Sequence, residues 1–221
     1  MKNKILLIIA TFTFSFSFAQ LKPTFGVKAG ISSSGIRGDA SDNLGSLLDL
    51  SNGRITTGDH TGFFAGFNTN IPVTENFSIE PGIYYSQKGY ELKGALNIKG
   101  ADFLGANAKT VLQSQYLDVP VLLKMNFGGL QLFAGPQVSY LARADLKTTA
   151  GVFGINLLNK TLDATSQLNK WDAGLTGGIG YQFSNGINLM ASYDYGLLKT
   201  DANRNIKAYN RSIKLGIGVN L

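Results

Sequence analysis

In the stretch YLDVPVLLK, Tyr116 to Lys124, the residues Leu117, Val119, Val121 and Leu123 fall on one face of an extended chain. Tyr116, Asp118, Pro120, Leu122 and Lys124 fall on the other. A period of two is the signature of a half-buried strand. It recurs along the chain, and eight alternating segments can be read from it. In order they are FGVKAGIS (25–32), FFAGFNTNI (63–71), FSIEPGIYYS (77–86), YLDVPVLLK continued to Phe127, LQLFAGPQVSY (130–140), WDAGLTGGIGYQF (171–183), INLMASYDYGL (187–197) and SIKLGIGVNL (212–221).

The connections alternate as well. PVTEN, Gly128-Gly129 and Ser184-Asn185-Gly186 are short, and the last contains the hairpin dipeptide Asn-Gly. The stretches 35–60, 87–114, 142–168 and 198–209 are longer. All long connections then lie at one end of an up-and-down meander. An even strand count with tight periplasmic turns and long outer loops describes an outer-membrane barrel. The expected fold is therefore all-β: an eight-stranded antiparallel up-and-down transmembrane β-barrel over residues 20–221, with four long outer loops and short periplasmic turns.

A soluble cup with apolar residues inside is the competing reading of the same alternation. Three features oppose it. The polar face is crowded with Gly, Ser, Asn and Tyr, which suit a narrow interior. The apolar face carries rings near strand ends, as interfacial girdles require. The eighth segment runs to Leu221, so the end of the chain takes part in closing the sheet. On the barrel reading, Phe77, Phe127, Tyr140, Trp171, Phe183, Tyr193 and Tyr195 form a lipid-facing aromatic girdle. Lys28, Glu80, Asp118, Lys124, Asp172, Asp194 and Lys214 form an interior charge network in which three cations nearly cancel four anions. Eight strands leave room for side chains only, so a plugged interior is expected. Pro81, Pro120 and Pro136 each remove a ladder donor, and bulges or bends are expected there.

The N-terminus, MKNKILLIIATFTFSFSFAQ, has a basic start, an apolar run and small residues before Gln20. It reads as a signal peptide over residues 1–19, cleaved after Ala19. Removing Lys2 and Lys4 leaves 18 basic against 14 acidic residues, a mild excess with no basic run, so no nucleic-acid footprint is present. The absence of cysteine excludes disulfides, thiolate metal sites and thiol nucleophiles.

FGVKAGIS, GFFAGFNTNIPVTENFSIEPGIYYSQKG, YLDVPVLLK followed by LFAGPQVSYL, and the closing SIKLGIGVNL together resemble the PorT-like outer-membrane barrels of Bacteroidetes-type bacteria. The resemblance covers most of the chain outside the long connections. It implies an outer-membrane location and an eight-stranded barrel. Named members are linked to secretion and gliding machinery, whereas most have no assigned activity.

Candidate sites are few. His60, the only histidine, follows Asp59 at the outer edge of the second strand, near Ser32, Ser33 and Ser34. A general base at the mouth of a barrel would need one of these hydroxyls within reach; a solvated rim histidine is the plainer reading. Asp39, Asp42, Asp49 and Asp59 make the first long connection acidic, but GDASDNLG does not match a calcium loop. Gly177-Gly178-Ile179-Gly180 and Gly216-Ile217-Gly218 lack the Lys-Ser/Thr sequel of a phosphate loop, and close packing by a large neighbour such as Tyr84 or Tyr116 explains them better. Leu44, Leu47, Leu48 and Leu50, then Ala95, Leu96, Ile98, Phe103 and Leu104, then Val152, Phe153, Ile155, Leu157 and Leu158 give the long connections unusual apolar area, suited to a self-packed cap or a partner surface.

The sequence thus predicts a non-enzymatic, monomeric envelope barrel with no cofactor and no metal. Its partners would be membrane lipid, the barrel-assembly machinery during insertion, and a protein at the outer loops. An accessory of a protein-export or surface-assembly machine, an enzyme acting on lipid or peptide at the outer surface, and a small-solute channel are the alternatives.

Overall fold

The alternation is realised as antiparallel sheet throughout. The computed structural model describes residues 22–38, 55–96, 106–152, 155–202 and 207–221. Among these residues lie nine strands: β1 (Thr24–Arg37), β2 (Ile55–Pro72), β3 (Phe77–Leu96), β4 (Ala106–Phe127), β5 (Leu130–Val152), β6 (Ile155–Asp163), β7 (Trp171–Gln182), β8 (Ile187–Lys199) and β9 (Tyr209–Asn220). The segment read as a signal peptide lies outside the described residues, as do Asp39, Asp42, Asp49, Leu44, Leu47, Leu48, Leu50, Ile98, Phe103, Leu104 and Phe153. So do the side chains of Ala95, Leu96, Val152, Ile155 and Leu157.

Eight of the strands close a ring in the order β1-β2-β3-β4-β5-β7-β8-β9. Closure pairs β1 with β9 from Gly26↔Asn220 to Arg37↔Tyr209, and Leu221 N donates to Phe25 O at 2.7 Å. The ninth strand, β6, is an addition to the expected eight. It pairs with β5 from Asp145↔Asp163 upward, whereas β7 takes β5 from Leu130 to Tyr140. Much of what the sequence suggested as long loops is strand: β3, β4, β5 and β6 rise beyond the ring as a continuous outer sheet. A single 3₁₀ turn, Thr165–Gln167, leads the chain back to the ring.

The tight turns lie at the opposite end. Gly128 and Gly129 have φ of 57° and 99°, the left-handed pair that a two-residue hairpin requires. Gly186 has φ 87°, and the Asn185 side chain accepts from Ile187 N at 3.1 Å.

The proline expectation needs correction. The β3–β4 register is constant from Phe77↔Met125 to Leu96↔Ala106, through Pro81 and Pro120, and β5–β7 is constant through Pro136. The ladder loses a bonded pair or two near each ring without gaining an extra residue. The register shifts fall elsewhere in the outer half: between Asp59 and Phe64, at Gln115/Tyr116, at Ala150/Gly151, and between Tyr195 and Lys199. There a slip does not force apolar residues off a buried or lipid-facing side, so it is tolerated.

Side chains divide by parity. Phe25, Ile31, Phe67, Leu117, Val119, Val121, Leu123, Leu175 and Ile217 are exposed on the outside, Phe67 by 66%. Inside, rings lie over glycines: Phe133 of β5 over one of the neighbouring β7, Phe64 of β2 over one of β9 across β1, and Tyr84 over one of its own strand. A Cβ on Gly216 would be 2.7 Å from Phe64 Cζ, one on Gly178 2.6 Å from Phe133 Cζ, and one on Gly82 2.5 Å from Tyr84 Cε2. The interior is narrow enough that a large ring needs a residue without a side chain beneath it.

Candidate functional site

The inward positions of β1, β3, β4, β8 and β9 bring most of the charged residues together in two linked groups. Glu80 on β3 sits between Lys28 on β1 and Lys124 on β4, bonded to both, the latter at 2.7 Å. Further along the lumen, Asp118 on β4 accepts from Lys88 at 2.8 Å, Lys214 at 3.1 Å and the Ser86 hydroxyl at 2.6 Å. Lys214 also meets Asp194 at 2.7 Å, and Thr176 connects Asp194 to Gln137 with bonds of 2.9 and 3.1 Å. Asp172 stands apart from the lysines and accepts from Asn210 at 2.8 Å. Asp118 is 0% exposed, and the other six charged residues singled out in the sequence are buried too.

Lys88 is the member that sequence reasoning missed. It is buried at the position after Ser86 on the same side of β3. Its signal was legible: continuing the period of two by one more step places it inside. With Lys88 the strand-lined interior holds four lysines, Lys28, Lys88, Lys124 and Lys214, against Glu80, Asp118, Asp172 and Asp194. The charges then balance. Asp145, also buried, is held by the Arg143 guanidinium instead.

Rings complete the interior. Lys88 lies 4.8 Å from the Tyr116 ring and Lys214 5.5 Å from that of Phe64. Above them Tyr116, Leu112, Leu141, Ala144 and Ala164 form an apolar cluster with Tyr90, Leu146 and Leu168 against it. Ala164 N donates to Ala144 O at 2.9 Å, and Ala144 N to the Thr165 hydroxyl at 2.9 Å. A residual cavity of about 30 Å³ remains among Lys28, Glu80, Tyr84, Phe133, Met190 and Lys214. At roughly 10–15 Å³ per water-sized probe this is room for a water or two.

The seven aromatics assigned to a girdle are all exposed on the outside. Tyr140 and Trp171 meet edge-to-face at 5.0 Å, as do Tyr181 and Phe183 at 4.9 Å. The rise from Trp171 to Phe183 along β7 is about 40 Å at ~3.3 Å per residue, or about 30 Å in height for a strand tilted ~40°. Phe77, Phe127 and Phe183 lie beside the tight turns; Tyr140, Trp171 and Tyr195 lie toward the outer sheet, and Tyr193, opposite Gly177, lies midway along β8.

The serines near His60 are engaged elsewhere. Ser32 donates to Gln87 O, Ser33 to Asp59, and Ser34 pairs with Ser212. The polar neighbour of His60 is Glu91, with Nδ1 4.0 Å from its carboxylate. Asp59 holds Arg211 at 2.6 Å. No group of three or more acidic or histidine side chains able to hold a metal ion occurs among the described residues.

The model of a family described as outer membrane protein beta-barrel domain matches residues 11–202. The chain belongs to this family. It is accordingly a protein of the bacterial outer membrane. No curated protein matches the sequence. Among solved structures it is similar to Ail, the attachment invasion locus protein of Yersinia pestis, at 12% identity and TM-score 0.46, over 91% of this chain and 100% of that one. Neisserial surface protein A is similar at 11% identity and TM-score 0.42, covering 90% and 99%. The N-terminal barrel domain of OprF from Pseudomonas aeruginosa is similar at 16% and 0.36, covering 90% and 100%.

Proposed function

We propose that this family member is a monomeric, non-enzymatic envelope barrel with a closed lumen, which works through its outer surface and not through transport. The observation that carries this reading is the chain of contacts from Lys88 to Asp118 to Lys214, which joins β3 and β4 to β9 through the lumen. An ion passing this level would have to separate charges that balance one another in a poorly hydrated space, at a cost of several kcal/mol per ion. The apolar cluster under the 3₁₀ turn lies over the outer end of the network.

In this reading residues 1–19 direct export and are removed, and the assembly machinery inserts the rest with the tight turns toward the periplasm. The exposed rings and branched residues meet lipid. The outer sheet of β3 to β6 carries the partner surface. Within the family, the resemblance of YLDVPVLLK and its neighbouring segments supports a kinship with the PorT-like barrels.

Planar-bilayer recording of the refolded chain tests the closed lumen. The expected result is a bilayer without steady conductance while insertion is verified separately. Stable open levels from inserted protein would overturn it.

A further inference from the structure

The outer sheet carries lysines that a closed barrel does not need. Lys93 on β3 lies directly opposite Lys109 on β4. Lys147 on β5 lies opposite Val111, which lies opposite Glu91. Opposed residues project to the same side, so three adjacent strands each contribute one ammonium group around one carboxylate. Glu91 bonds Lys109 at 3.0 Å and Lys93 at 3.3 Å, while Lys147 donates to the neutral Gln113 at 2.9 Å. Like charges directly across a strand pair disfavour folding, and Glu91 alone leaves these three lysines an excess of about two positive charges; next to them on the same side, Arg143 faces Asp145 and Asp163. The Lys93 and Lys109 side chains remain 56% and 43% exposed.

The side of the sheet matters. The uninterrupted β3–β4 register carries the parity of Ile79, Ile83 and Tyr85 up to Glu91 and Lys93. The lysines are thus on the barrel's outside, while Tyr90, Leu112 and Leu146 occupy the lumen side of the same rows. From Tyr85 to Glu91 the strand climbs about 20 Å, or about 15 Å in height when tilted. That places the group just above the hydrocarbon, in the headgroup and sugar layer.

We propose that Lys93, Lys109 and Lys147 form a docking surface for the phosphate groups of the outer-leaflet glycolipid. The inference rests on the orientation given above, with the outer sheet on the cell exterior. Ammonium groups act on phosphate as point charges, and a basic group beside an anionic leaflet is held there by its surface potential. A face that looks along the membrane plane meets the lipid beside it.

The test uses the refolded chain in detergent micelles and in nanodiscs, with binding of purified lipopolysaccharide measured before and after removal of its phosphates. Wild type is expected to bind the phosphorylated form at least tenfold more tightly. K93Q/K109Q/K147Q should lose that preference and much of its salt dependence, while K160Q, on the opposite side of the sheet, keeps both. Equal binding of the two lipid forms by wild type, or an unchanged preference in the triple variant, would overturn the proposal. So would full competition by millimolar inorganic phosphate, which would assign the site to a free anion. Failure of the chain to insert into nanodiscs would sink the orientation itself, an outcome read separately by protection of the strands from protease.

Discussion

Asp118 on β4 and Lys214 on β9 lie 3.1 Å apart, an ion pair between strands that share no hydrogen-bond ladder. Lys88 completes the arrangement at 2.8 Å from the other carboxylate oxygen. Replacing Asp118 with alanine leaves both ammonium groups without their shared anion, and removing one partner of a buried pair costs about 3–5 kcal/mol. Urea unfolding of the inserted barrel, followed by Trp171 emission, should show this loss. Asp118→Ala combined with Lys214→Ala should cost less than the two singles summed, because the partners are in contact.

The two faces of β4 make opposite demands. Val121 is exposed on the outside and Lys124 buried beside Glu80. Val121→Arg puts a charge in hydrocarbon and should cost about 2–4 kcal/mol near the midplane. Lys124→Gln should cost less, since Glu80 keeps Lys28. Unfolding free energies in that order are expected; the reverse order would mean that the faces are assigned backwards.

Phe64 reaches over Gly216, where an added Cβ would stand 2.7 Å from its Cζ. Gly216→Ala should therefore destabilise by about 1–3 kcal/mol, the usual cost of overpacking. In a Phe64→Leu background the same substitution should cost measurably less. Thermal shifts of the four proteins give the coupling.

His60 sits 4.0 Å from Glu91 with its side chain 13% exposed. Burial holds its pKa below the ordinary 6.5, outweighing the upward pull of Glu91, and Lys109 and Lys147 push the same way as burial. The unfolded chain then takes up the proton first. Stability associated with neutral His60 is present above about pH 6.5 and is lost as pH falls through the depressed folded value. Burial pushes the Glu91 carboxyl up, but Lys109 and Lys93 outweigh it and hold it below the ordinary 4.5, so its own loss comes only at lower pH. Protection factors of the Ile55–Asp59 amides, taken relative to the intrinsic exchange rate at each pH, should fall between pH 7 and pH 5 in wild type and stay constant in His60→Gln.

The membrane band was legible in the sequence because lipid makes one face of each strand apolar while the lumen keeps the other polar. Where the strands leave the hydrocarbon that contrast ends. Gln87, Glu91 and Lys93 replace Ile79, Ile83 and Tyr85 on the outer side of β3, so the alternation fades while the strand continues to Leu96. Lys88 was lost from the network for that reason. β6 was hidden too: Ala142 is an extra residue where Gln115↔Arg143 gives way to Tyr116↔Leu141, which breaks the period in β5 just before it turns toward β6. The proline expectation failed because these strands accept missing bonds more readily than a shifted register, which would turn apolar side chains into the lumen. Neither Asp59–Arg211 nor the stacking of Arg37 on Tyr195, at 3.6 Å, has a local signature, since each depends on strands brought together by closure.

The chain contains one tryptophan, Trp171, 57% exposed on the outside against Tyr140. Its fluorescence in bilayers containing brominated acyl chains tests most directly whether hydrocarbon covers the apolar side of this sheet. Strong quenching by bromines near the headgroup, weaker quenching by bromines near the chain ends, and little effect of aqueous iodide are predicted. Full quenching by iodide with none by brominated lipid would contradict the account.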